Sequence, residues 1–233
     1  MTIDLSAPAP EPVDLPGAQV LQAAFEHAGS RGDVFLPKGL VPTVPTLVTM
    51  LVVHVPESPH GSFTFAQLRV SCRSGARARA LVVASAVDAG PDTTAWLAAG
   101  WGIGASAGSP VRLERRYDRV RAVAPWFDVA LESPKPIGVH DVQYVAGLHP
   151  VTSAGASRLA QVELEVALDR VERGRPVLHR FAPPEEVATL APRFAVAATS
   201  GVGTLTLPQV RFVLDPEQPA HLGTERVGIG SPA

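Results

Sequence analysis

The chain has 233 residues, 46% hydrophobic against 18% charged, a balance that supports a packed core and excludes wholesale disorder. A formal net charge of -2 offers no basic field for nucleic acid or an anionic membrane surface. Its single cysteine, Cys72, excludes an internal disulfide framework and a cysteine-built zinc site.

The opening MTIDLSAPAPEPVDLP has neither a basic start nor an apolar run, so no secretion signal is expected and the cytoplasm is the expected compartment. Residues 1–17 are proline-rich without periodicity and read as an extended, poorly ordered arm. Residues 18–215 show no composition break and read as one domain, with 216–233 as a flexible tail. Leu47–Val55 is a valine-rich apolar run, the pattern of a strand buried on both faces, and about half of the roughly 20 residues a membrane-spanning helix needs. Phe63–Cys72 alternates, with Phe63, Phe65, Gln67 and Arg69 on one face and Thr64, Ala66, Leu68 and Val70 on the other. Arg79–Val87 follows the Gly75 turn, and Val111–Arg116, Arg119–Ala124 and Phe127–Leu131 read as a meander. The alternation of Arg158–Arg173 favours one long strand, though its Ala, Leu and Glu would accept a helix, and Arg175–Phe181 and Gly203–Leu214 complete the set. Two helices are expected. In GPDTTAWLAAGWG, Asp92 or Thr93 caps the start and Gly100 the end; in FAPPEEVATLAP, Pro183 and Pro184 open the helix and Pro192 stops it. About ten strands with two or three short helices describe an α+β protein with a large, mainly antiparallel sheet that curls or closes.

The order PTLVTMLVVHVPESPHGSFTFAQLRVSC, a glycine turn, a strand ending VDAG, a short helix and AGWG resembles the acetoacetate decarboxylase family. The resemblance continues through RLERRYDRVRA, ELEVALDRVERGRP, HRFAPPEEVATLAPRF and TLTLPQVRFVLDP, over roughly residues 18–215. It implies a closed, cone-like antiparallel barrel around a central cavity, in a homo-oligomer. It also implies catalysis by a lysine amine that condenses with a ketone, its pKa lowered by a neighbouring lysine and a dry site. The two lysine positions of that family fall on Ala105 and Ser106 in the segment after Trp101-Gly102-Ile103-Gly104. Its two active-site glutamates fall near Leu51 and Phe65, and its arginine near Ala18. With 18 Arg but only Lys38 and Lys135 in the chain, both flanked by proline or glycine, the amine chemistry is expected to be gone.

A barrel altered in this way presents an apolar cavity lined by Leu51, Phe65, Trp101, Ile103 and Ala105. Ser106, Gln67 and Arg69 are the candidate catalytic donors, able to polarise a carbonyl or anchor a carboxylate. Arg69 has a second reading, at the outer end of its strand with Arg73, Arg77 and Arg79. No histidine pair has metal spacing, so no metal or other cofactor is expected. His54 reads as a satisfied wall residue, His140-Asp141 as a strand entry and His149 as a turn residue. Glu163 and Glu165 share a strand face and read as solvated or inter-subunit. Gly100-Trp101-Gly102-Ile103-Gly104 follows a helix instead of a strand, which rejects a dinucleotide fingerprint.

The expected function is a lysine-independent enzyme of specialised metabolism, cyclising or isomerising an apolar, polyketide-like molecule, pericyclic closure included. Two other classes stay open: a non-catalytic carrier of an apolar metabolite, and an interaction protein with a collapsed pocket. The expected partners are the apolar small molecule and further copies of the chain, with no nucleic acid and no membrane.

Overall fold

The computed structural model describes residues 10–29, 36–104, 110–142, 144–153 and 155–227. The first strand, Val13–His27 (β1), takes in the end of the stretch expected as an arm. Then follow Val41–Pro42 (β2), Leu47–Val55 (β3), Phe63–Ser74 (β4), Arg77–Asp88 (β5) and the helix Pro91–Trp101 (α1). The meander Arg112–Arg116 (β6), Arg119–Ala124 (β7) and Phe127–Ile137 (β8) forms as expected. Gly147–Ser153 (β9), Ala156–Val162 (β10), Glu165–Phe181 (β11), Pro192–Leu207 (β12) and Phe212–Leu214 (β13) follow. Residues beyond Pro216, expected as a tail, add the turn of helix Ala220–Gly223 (α2) and Thr224–Arg226 (β14).

These strands make one sheet in the order β14-β13-β10-β9-β5-β4-β3-β1-β12-β11-β8-β7-β6, with β2 on β4. The described pairings are antiparallel except that of β5 with β9. The sheet is large and mainly antiparallel, as read from the sequence. Its closure is corrected: among the described residues no ladder joins β14 to β6. Both end strands are poor partners. β14 has three residues, and β6 reads RLERR, a charged edge that resists further pairing.

Three further expectations give way. Arg158–Arg173 is not one strand: it breaks at 163–164, because β10 pairs with β9 and β13 while β11 pairs with β12 and β8, on opposite sides of the sheet. The helix expected after Pro183 is a single 3-10 turn, Glu185–Val187, since the chain must enter β12 at Pro192 and bury Val187 and Leu190 on the way. His140 and Asp141 also lie in a 3-10 turn, not at a strand entry. The helix α1 forms where expected, but Gly90 sits at its N-cap and Gly102, at φ 61°, ends it. Thr93 turns instead to the neighbouring loop, its hydroxyl donating to His60 O at 2.6 Å.

The pleat of the central strands sorts their side chains into two cores. Leu21, Met50, Val52, Ala66, Leu68 and Val70 point to one, which β7 and β8 cover with Val120, Ala122, Phe127 and Leu131. Leu15, Val20, Leu51, Val53, Phe63 and Phe65 point to the other, covered by α1, β9, β10 and β13. A smaller cluster around Cys72, Leu81, Leu148 and Leu214 lies beside them. No helix among the described residues is long and apolar enough to cross a membrane.

The coiling depends on bulges, which bend and twist a strand. At the one between Leu168 and Arg170, β12 approaches β11 so closely that a Cβ on Gly203 would stand 2.1 Å from Ala167 O. Gly203→Ala is expected to cost about 3 kcal/mol in urea-unfolding free energy; an unchanged midpoint would show that the bulge yields freely.

Candidate functional site

The second core is not wholly apolar. On β4 the alternation that buries Phe63 and Phe65 continues into Gln67 and Arg69, which are 0% and 2% exposed. Arg69 is therefore not at a solvated strand end. The register places Gln67 between Leu51 on β3 and Ser85 on β5, so all three share one face. Arg69 donates through Nε to Gln67 Oε1 at 2.8 Å, also through Nη2 to the same oxygen, and through Nη1 to Val145 O at 3.4 Å. Among the described residues it makes no ion pair. An uncompensated cation taken out of water costs several kcal/mol, and burial lowers its pKa to about 10, which leaves it charged at neutral pH.

Opposite this pair stands His149, 0% exposed, on β9. The turn expected at GLHP is in fact a strand whose alternation sends Leu148 into the small cluster and Val151 into the second core. His149 shares the face of Val151. Gly147, two residues before it, leaves the space: a Cβ there would lie 2.7 Å from His149 Nε2 and 3.6 Å from Arg69 Nη2. His149 Nδ1 lies 3.4 Å from Gly102 O, and a carbonyl oxygen accepts, so Nδ1–H donates. Its Nε2 is then a bare lone pair, buried and without a partner. Burial first, and the Arg69 charge second, push the imidazole pKa down to about 3, so His149 is neutral at physiological pH. Gln67 Nε2, Ser85 Oγ and Tyr144 OH are likewise buried without partners. Each such group costs about 1–3 kcal/mol unless something arrives to satisfy it. Desolvation drives the Tyr144 phenol well above its ordinary range.

Leu51, Phe65, Trp101 and Ile103, expected to line a cavity, are fully buried and pack against one another in the second core. The helix α1 is held there by Trp101 Nε1–H, which donates to Pro208 O at 2.6 Å, and by edge-on packing of Trp96 on Trp101. Ala105 and Ser106 lie outside the described residues. Beside the cluster a cleft of about 660 Å³ opens, lined by Val82, Ser85, Gly102, Gly104, Trp126 and Pro184 among others. It exists because β5 and β9 pair only at Ala80–Gly147 and Leu81–Leu148 and then separate. Ser85 and Gly102 in its lining are the direct neighbours of Gln67 and His149.

Both lysines are elsewhere. Lys38 is 82% exposed and bridges Glu217 at 2.9 Å, a hydrogen bond that raises its pKa, the opposite of what an amine nucleophile needs. Lys135 is exposed on β8, paired with Arg173. Glu163 and Glu165 line a separate surface groove with Arg77 and Arg211. His54 Nδ1 is 3.0 Å from Thr64 Oγ1, as suits a satisfied wall residue. Among the described residues no group of three or more His, Cys, Asp or Glu side chains could hold a metal ion.

The low pKa of His149 has a stability consequence. Between 6.5 and about 3 the unfolded chain binds a proton that the folded chain refuses, so the folded state loses stability as pH falls through this window. The slope approaches about 1.4 kcal/mol per pH unit, and the contribution is constant above the window. Urea midpoints measured from pH 7 to pH 4 are expected to fall less steeply in His149→Gln than in the parent chain.

No protein-family profile matches the chain, and no curated protein sequence does. Solved structures do. Acetoacetate decarboxylase from Legionella pneumophila superposes with a TM-score of 0.71 at 15% identity over 88% of both chains. A second acetoacetate decarboxylase gives 0.73 at 11% identity, covering 96% of this chain and 91% of that one. The enduracididine biosynthesis enzyme MppR, complexed with pyruvate, gives 0.63 at 16% identity over 86% and 89%. The chain thus has the fold of acetoacetate decarboxylase, with a buried arginine, glutamine and histidine inside it.

Proposed function

We propose that the chain is a lysine-independent enzyme that cyclises or isomerises a small, largely apolar, polyketide-like molecule carrying a carbonyl group. The observation that carries this reading is Arg69, a buried cation whose acceptors among the described residues, Gln67 Oε1 and Val145 O, are both neutral. A guanidinium does not deprotonate near neutral pH, so it cannot serve as a nucleophile; it stabilises negative charge that develops on a substrate oxygen. The cleft of about 660 Å³, with Val82, Val83, Ala84, Trp126, Pro150 and Pro184 in its lining, offers room for the largely apolar body of the substrate. That a protein of the same fold, MppR, is found with the carbonyl compound pyruvate supports a carbonyl ligand. The exposed positions of Lys38 and Lys135 favour catalysis without an iminium intermediate.

Three measurements test this. Borohydride added with acetoacetate or pyruvate is expected to leave no adduct by intact-mass spectrometry; a stable adduct on either lysine contradicts lysine independence. The double variant Lys38→Arg/Lys135→Arg is expected to keep ligand binding and turnover within about twofold of the parent. Polyketide-like ketones that bind and are recovered unchanged after prolonged incubation reassign the cavity to carriage of a metabolite.

A further inference from the structure

Resting on that reading, we propose that His149 Nε2 is the proton acceptor of the site and that Arg69 with Gln67 holds the substrate oxygen. The substrate class is then a β,γ-unsaturated ketone, and the reaction a 1,3-proton shift from its α to its γ carbon. The geometry supplies both halves. His149 is locked in one tautomer by donating Nδ1–H to Gly102 O, and its remaining lone pair is buried and unpartnered. Nε2 and Arg69 Nη2 converge over Gly147, at 2.7 and 3.6 Å from where a Cβ would stand. The amide Nε2 of Gln67 is a second unspent donor, and its oxygen is already fixed by Arg69. A donor pair and a base that converge at a buried point suit abstraction of a proton next to a carbonyl.

The step balances within the site. Nε2 takes a proton from the carbon next to the carbonyl, and the C–H electron pair becomes the C=C bond of an enolate. The carbonyl π pair moves onto oxygen, where Arg69 faces it. The imidazolium then returns the proton to the far carbon of a conjugated system, and the carbonyl re-forms with the double bond displaced. No oxidant, reductant or second substrate enters. Among the described residues Arg69 is the charged side chain whose field reaches His149, and it disfavours the imidazolium until the enolate forms. The negative oxygen offsets that repulsion, so proton transfer and oxyanion formation are coupled.

A phenol imitates the pair of states, since it binds neutral or, after giving up its proton, as an oxyanion. With 4-nitrophenol as probe, below its pKa in water, binding is expected to raise the phenolate-to-phenol ratio about tenfold, one pKa unit, read at the phenolate absorbance band. Nitrogen-15 spectra are expected to show His149 Nε2 becoming protonated on binding. Arg69→Met loses the phenolate band, Arg69→Lys recovers part of it, and His149→Gln abolishes proton uptake while thermal unfolding reports that each variant is folded. A probe that stays neutral on the parent protein, or that the protein does not take up, overturns the assignment of Arg69 and His149. Lysine independence is judged separately by borohydride trapping, so the two ideas fail in different experiments.

Discussion

Strand β4 must be buried on both faces, and most of the architecture follows from meeting that constraint. Its even-numbered apolar residues, Ala66, Leu68 and Val70, need a cover that the β6–β8 meander supplies; Phe63 and Phe65 need another, supplied by α1 and β9–β13. A flat sheet cannot cover both its own faces, so the two ends of the strand order coil back over the middle. The same alternation then carries two polar residues, Gln67 and Arg69, to a depth where neither meets water. Their burial is a consequence of period two, and their chemistry is a consequence of their burial.

A buried guanidinium sets up a different interior from a buried amine. An amine site has to be tuned toward the neutral form, by burial or a second cation. Arg69 experiences the same desolvation and remains charged, so the interior keeps a permanent positive pole. Next to it, the imidazole of His149 is held neutral, first by the same burial and then by the charge of Arg69. One group is fixed as charged and its neighbour as uncharged, and the difference between them gives the cluster its polarity.

Much of this was legible in the sequence because β3, β4 and the meander carry strong period-two signals that their environment reinforces. The face shared by Phe65, Gln67 and Arg69, and the apolar wall of Leu51, Trp101 and Ile103, came from that pattern and from the resemblance. What escaped were features set by partners distant along the chain. The break at 163–164 has no local signal, since either half alternates well; it reflects a crossing between opposite ends of the sheet. The segment after Pro183 has the composition of a helix and is too tightly tethered to form one. His149 was masked by Pro150, a turn-like neighbour, and its strand pairs with β5 over two residues only. The alternation of Leu148, His149 and Val151 was the one available hint.

That short parallel ladder also sets where the molecule opens. Long antiparallel ladders join β1, β3, β4, β11 and β12, whereas the ladder of β9 on β5 has two rungs, Ala80–Gly147 and Leu81–Leu148, with Ala80 N–H also donating to Ala146 O at 3.0 Å. The cleft opens where those two rungs end, with Ser85 and Gly102 in its lining, so the place where the sheet stops pairing is also the place where the surface comes nearest to Gln67 and His149.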